Sequence, residues 1–166
     1  MSDFDPNTWY QITDSTKGPA YGLTGSWGVG SWINMGVYNN SNPACHWQIL
    51  AASTPSTFFL RSGDPGPGFQ LGSERANLTQ NETWGQPAGM LLTDFSDTAQ
   101  QWLFEKWPAD QLWRLSTVAN GTSWILGWQG GAVFMSSRTN SSGGHWAISN
   151  KGAINDAAYS TSASVS

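Results

Sequence analysis

One spacing recurs three times along this chain and leaves it few architectures to choose from. Tyr10-Gln11-Ile12-Thr13, Phe58-Phe59-Leu60-Arg61 and Trp113-Arg114-Leu115-Ser116 share an aromatic-x-aliphatic-polar pattern. On an extended strand this turns the two apolar side chains to one face. Eleven residues after each leading aromatic the pattern returns, as Tyr21-Gly22-Leu23-Thr24, Phe69-Gln70-Leu71-Gly72 and Trp124-Ile125-Leu126-Gly127. Each unit then carries a short apolar segment, near residues 35–37, 90–92 and 133–135. It closes on Cys45-His46-Trp47-Gln48-Ile49, Gln100-Gln101-Trp102-Leu103-Phe104 or Gly144-His145-Trp146-Ala147-Ile148. From Trp47 to Phe58 and from Trp102 to Trp113 is again eleven residues, so the joints between units match and only the loops differ in length.

Four strands in each of three units, punctuated by Gly, Pro, Asn and Ser, describe an all-β chain. No unit can bury its apolar face alone. A closed six-stranded barrel capped by three hairpins solves that problem and leaves few open sheet edges. The expected fold is therefore a β-trefoil of three four-stranded repeats with pseudo-three-fold symmetry; a seven-strand sandwich gives no reason for a three-fold aromatic spacing. The domain is placed at residues 4–156, with repeats at about 9–50, 57–105 and 112–149. The Ser-rich stretch 157–166 has no apolar period and is expected to be disordered.

Charge and cysteine exclude several functions. Only 11% of the 166 residues are charged and the formal net charge is -4, which offers no basic stripe for a nucleic acid. No run approaches the ~20 apolar residues of a spanning helix, and no membrane contact by this domain is expected. The acidic start Met1-Ser2-Asp3-Phe4-Asp5 does not read as a signal peptide, which leaves a cytoplasmic location open. Against that, sequons begin at Asn39, Asn77, Asn81, Asn120 and Asn140, more than chance supplies, and favour an extracellular or cell-surface protein that is part of a longer chain. Cys45 is a single cysteine, so the fold must hold by packing.

With the repeat in view, the chain resembles the ricin-B-type (R-type) lectin domains, whose mark is Gln-x-Trp near the end of each repeat. Gln100-Gln101-Trp102 matches it outright, while Cys45 and Gly144 replace the Gln in the other two repeats. Phe4-Asp5-Pro6-Asn7-Thr8-Trp9-Tyr10 and Ser142-Gly143-Gly144-His145-Trp146 resemble the fungal branch of that family. The resemblance implies a non-catalytic module that binds a glycan or glycoprotein. Family members that bind galactose-type sugars place an Asp just after the second strand; here Thr24, Gly72 and Gly127 stand at those strand ends, so binding either draws on other residues or has been lost, leaving degenerate sugar sites.

A sugar ring lays its C–H face on an aromatic plane and fixes its hydroxyls with amides, hydroxyls or carboxylates. Five of the 11 Trp (Trp47, Trp102, Trp113, Trp124, Trp146) fill repeat positions expected in the core. Trp27, Trp32, Trp84 and Trp128 lie instead between the second and third strands, the region where the resembled family builds its sites. The candidate carbohydrate-binding residues are Trp27, Trp32, Tyr38, Asn40 and Asn42 in repeat 1, Trp84 and Asp94 in repeat 2, and Trp128, Gln129, Arg138 and Asn140 in repeat 3. The competing role for the Trp is packing under the barrel.

No metal site, cofactor or catalytic group is expected. His46 and His145 occupy equivalent slots that three-fold symmetry holds apart. Cys45 and His46 are adjacent on a strand and face opposite ways. Asp94 and Asp97 read as a solvated turn. The alternative function is a protein-interaction or protease-inhibitor trefoil that would use the longest insertion, residues 72–89, to plug a partner's cleft.

Overall fold

The computed structural model describes residues 3–25, 31–73, 84–137 and 142–160. Among these there are thirteen strands: β1 (Thr8–Asp14), β2 (Tyr21–Thr24), β3 (Ser31–Trp32), β4 (Asn34–Val37), β5 (Trp47–Ala51), β6 (Thr57–Ser62), β7 (Phe69–Ser73), β8 (Trp84–Leu92), β9 (Trp102–Lys106), β10 (Trp113–Thr117), β11 (Ile125–Gln129), β12 (Ala132–Ser136) and β13 (Trp146–Ala153). The first and last strand of each sequence unit form a closed six-stranded barrel in the order β1-β13-β10-β9-β6-β5, which β1 completes by pairing with β5. The inner strands form a second sheet, β2-β4-β12-β8-β3, with β11 laid on β12 and β7 on β8. Four strands per unit is what the spacing requires, with the third strand of the first unit interrupted at Ile33.

The Trp that ends each unit explains why the spacing is kept. Trp47, Trp102 and Trp146 are fully buried. Each turns its indole N–H back to a carbonyl of the second strand of its own unit: Trp47 to Leu23 at 2.9 Å, Trp102 to Leu71 at 2.8 Å and Trp146 to Leu126 at 2.9 Å. A buried Trp needs such a partner, and the bond ties the barrel to its cap. Trp113 and Trp124, expected in the core, are only partly buried and pack against it, whereas Tyr10 and Phe58, which lead the other two first strands, are buried. One end of the barrel is closed by Phe4, which sits 5.4–5.5 Å from the rings of Tyr10, Phe58, Phe104 and Trp113, mostly edge to face.

Two expectations are corrected. Within the stretch expected to be disordered, residues 161–166 lie outside the described residues, but the turn Ala157–Tyr159 is ordered: it is capped by Asp156, whose carboxylate accepts the Ala158 N–H, and Tyr159 is buried. Its hydroxyl donates to the Ser62 carbonyl at 2.8 Å, and its own carbonyl accepts from the Gln48 amide at 2.9 Å. A single aromatic side chain thus anchors a segment whose composition gave no apolar period. The second correction concerns the long insertion 72–89. Its ends are the strands β7 and β8, and residues 74–83 lie outside the described residues.

The Tyr159 anchor has a measurable consequence. Burial, reinforced by Asp156, pushes its phenol up to about 12 from the usual 10.0. The unfolded chain therefore loses the proton first as pH rises, and the stability tied to the neutral phenol is complete below pH 10 and drains away towards about 12. Tyr159→Phe is expected to flatten that alkaline decline in the unfolding midpoint. At neutral pH it is expected to cost about 1–3 kcal/mol, because the buried Ser62 carbonyl loses its donor. Urea titrations at several pH values check both.

Candidate functional site

On the cap sheet, period-two alternation buries Ile33 completely and turns its neighbours outward, so Trp32 is 57% exposed. Its position is nonetheless fixed from both sides. The Ile33 N–H bonds the Ala88 carbonyl at 3.0 Å, and the Met35 N–H bonds the Gly131 carbonyl at 2.9 Å. Across the ladder Trp32 faces Gly89, which has no side chain to cover the indole. Asn34, exposed on the same face, lies two residues on and donates from its amide to the Trp32 carbonyl at 3.4 Å; its own carbonyl accepts from the Thr24 hydroxyl at 3.0 Å. An open aromatic plane beside an amide and a hydroxyl, on a strand and not a loop, is the arrangement a pyranose needs. Asn34 was missed in the sequence, although the alternation Trp32-Ile33-Asn34 placed it beside Trp32.

A second cluster gathers where β4 leaves the cap sheet. The Tyr38 hydroxyl donates to Asn40 Oδ1 at 3.0 Å and stands 3.5 Å from His46 Nε2. The Lys151 ammonium lies 4.7 Å over the Tyr38 ring, and Trp9 lies 5.9 Å from the His46 ring. Tyr38 and Asn40 are thus brought together, while Lys151 and Trp9 were not among the candidates and His46 was weighed only for a metal, because β13, β1 and the turn before β5 lie far apart in sequence. Burial, and then Cys45, raise the Tyr38 phenol above its ordinary value; desolvation, and then the Lys151 charge, hold the His46 imidazole below its own. Asn42 does not join them. Its carboxamide oxygen accepts the Ala44 N–H at 3.1 Å and caps the turn Pro43–Cys45.

The other candidates are separated. Asp94 accepts both the N–H and the hydroxyl of Ser96, at 2.9 and 2.6 Å, which closes a turn and holds its carboxyl below the usual carboxylate range. Trp128 belongs to β11 rather than to the loop after it. Lys17 lies 5.0 Å over its ring, and Gly143 packs so close that an added Cβ would meet the Trp128 carbonyl at 2.9 Å. Its indole is half-buried, with Lys17 over one face. Gln129 is exposed at the end of that strand. Trp84 opens β8, its Cα opposite Ser136, and its side chain lies outside what is described, as do Trp27, Arg138 and Asn140. Of the two histidines, His145 is engaged differently from His46: Nδ1 meets Asp110 Oδ2 at 2.6 Å and the ring stacks on Trp107 at 4.5 Å. Arg114 covers Trp107 at 5.2 Å, so that indole offers no open face.

The sequence matches no family model and no curated relative. Solved structures are similar along most of its length. The structure of BEL, a β-trefoil, aligns with a TM-score of 0.69 at 10% identity over 90% of this chain and 97% of that one. The chain folds as a β-trefoil. SeviL bound to an asialo-GM1 saccharide aligns with a TM-score of 0.59 at 14% identity, over 87% of this chain and 98% of that one. A mosquitocidal holotoxin gives 0.71 at 20% identity over 91% of this chain, which spans only 18% of that protein.

Proposed function

We propose that this chain is a carbohydrate-binding, non-catalytic module of the R-type lectin kind, built from three pseudo-symmetric repeats, with its platform in repeat 1. The observation that carries this reading is Trp32, a large apolar side chain left 57% exposed on a fixed strand beside Asn34. An exposed Trp costs hydration free energy unless a ligand covers it, and amphipathic rings suit a surface that is apolar on one side and polar at its edge. The trefoil likeness agrees, since SeviL was solved with a saccharide bound. The opening Phe4-Asp5-Pro6 and Ser142-Gly143-Gly144-His145-Trp146 support a fungal branch. The expected partner is a glycan or glycoprotein. We place the protein outside the cell, on the excess of sequons; Asn39 is exposed, whereas the Asn120 amide nitrogen is engaged with the Ser73 hydroxyl.

The protein-interaction reading keeps one observation in its favour, Val37 and Leu92 standing 67% and 61% exposed at equivalent strand ends. A glycan array probed with the folded protein separates the two. Discrete sugar binding supports the lectin; a blank array on protein with an intact melting transition overturns it and leaves the apolar strand ends as the surface to pursue.

A further inference from the structure

β13 meets β1 with one residue to spare. Tyr10 pairs with Asn150 and Trp9 with Gly152, so Lys151 is left without a partner across the ladder, and Gly152 takes φ 113, a value only glycine adopts easily. Such a bulge re-aims a side chain and is found beside sites more often than elsewhere. Here it sends Lys151 across to the Tyr38 ring. His46 comes up from the other side, just before Trp47, which pairs with Tyr10 on the opposite edge of β1. Trp9, on β1, lies beside His46.

From this juxtaposition we infer that Lys151, His46, Tyr38 and Asn40 form a subsite for an acidic sugar, one whose ring carries a carboxylate or a sulfate. The inference rests on the lectin reading and names what this part of the surface takes. Lys151 is exposed and its charge is unmatched: the ion pairs among the described residues are Arg114–Glu105 and His145–Asp110, and Lys151 enters neither. In a chain with 11 acidic and 7 basic residues, a lysine aimed beside an imidazole with no carboxylate paired to it is the reverse of what average composition gives. The contact with Tyr38 keeps the ammonium in place at an exposed site but is weak. A charge-assisted hydrogen bond to an anion is stronger, so the ammonium can turn from the ring to a ligand at little cost. The Tyr38 hydroxyl and the Asn40 carboxamide then offer donors and acceptors to neighbouring hydroxyls.

The groups facing His46 are Lys151 from β13 and Tyr38 from just after β4, with the Trp9 ring beside it; Cys45, the residue before it, acts on Tyr38. A bound anion would favour its protonated form against the desolvation and the lysine charge that oppose it. Binding therefore takes up a proton, and affinity for acidic sugars rises as pH falls through the range in which His46 titrates.

The test compares matched oligosaccharides that differ only in a terminal carboxylated, sulfated or neutral sugar, titrated calorimetrically into the wild type, Lys151→Gln and Lys151→Arg. The wild type is expected to prefer an acidic member, with the carboxylated and sulfated arms showing which anion fits, and to do so more strongly at about pH 5.5 than at about pH 7.5. Lys151→Gln is expected to weaken the acidic member about tenfold while leaving the neutral one within about twofold, and Lys151→Arg to restore most of the loss. Equal affinity for acidic and neutral members, or an equal loss of both in Lys151→Gln, overturns the inference while leaving the lectin reading in place. No binding of any member overturns both.

Discussion

Trp32→Ala is expected to weaken glycan binding by about thirtyfold or more and to leave the melting temperature where it was. The binding loss follows from the open indole: a central aromatic anchor is commonly worth about 2 kcal/mol or more, which is a factor of roughly thirty. The unchanged stability follows from the same exposure. A side chain 57% exposed opposite a glycine contributes little to packing, and surface changes of this kind usually fall within about 0.5 kcal/mol. Calorimetric titration with whichever glycan the array identifies, run beside a thermal melt, measures both quantities. Wild-type affinity in the variant would remove Trp32 from the site and with it the main ground for placing the platform in repeat 1.

Trp47→Ala is expected to do the opposite, costing about 3–5 kcal/mol of folding stability. The indole is fully buried against Ile12, Ile49 and the rest of the core cluster, and its N–H is the donor for the Leu23 carbonyl. Removing it leaves a cavity and an unpaired carbonyl together. Against a typical stability of 5–15 kcal/mol this is a large share, and for a chain of this length it corresponds to a fall of roughly 6–20 °C in Tm. Trp47→Phe separates the two losses, since it fills most of the space but supplies no donor. Parallel substitutions at Trp102 and Trp146 are expected to cost similar amounts, because each makes the same bond within its own unit. Guanidinium denaturation of the six variants supplies the comparison.

The aromatic spacing made the barrel legible because it is local: each Trp closes a bond to a carbonyl 20 to 31 residues earlier in its own unit, and that constraint is written three times. Trp32 was legible as a candidate from its place between the second and third strands of its unit, while its exposure follows from alternation around Ile33. The Tyr38 cluster was only half legible. Asn40 lies two residues after Tyr38, but Lys151 arrives through a bulge more than a hundred residues later, and nothing in a one-dimensional pattern announces a bulge before its partner strand is known. Tyr159 escaped for a related reason. A lone aromatic in a small polar stretch looks like a linker until the distant Ser62 carbonyl and Gln48 amide that receive it are in place. Asp94 and Asn42 were chosen as residue types that bind sugars, and in the structure each also holds its own turn, a role the sequence reading did not assign.

The barrel closes by joining the first strand to the last, and this sets an order on how the chain can be made. β1 has seven paired positions with β13 but only two with β5. While the chain is being synthesised, Tyr10 and Ile12 therefore have most of a strand edge unfilled until residues 146–153 have left the ribosome, and the Gln48 amide waits longer still for the carbonyl of Tyr159. Pairings so distant in sequence form slowly, and an apolar edge held open for that time invites pairing with a neighbouring chain. A nascent chain stalled before residue 146 would thus present five of the barrel's six strands and a sticky seam, making the final strand the step at which chaperones or low temperature have the most to contribute to yield.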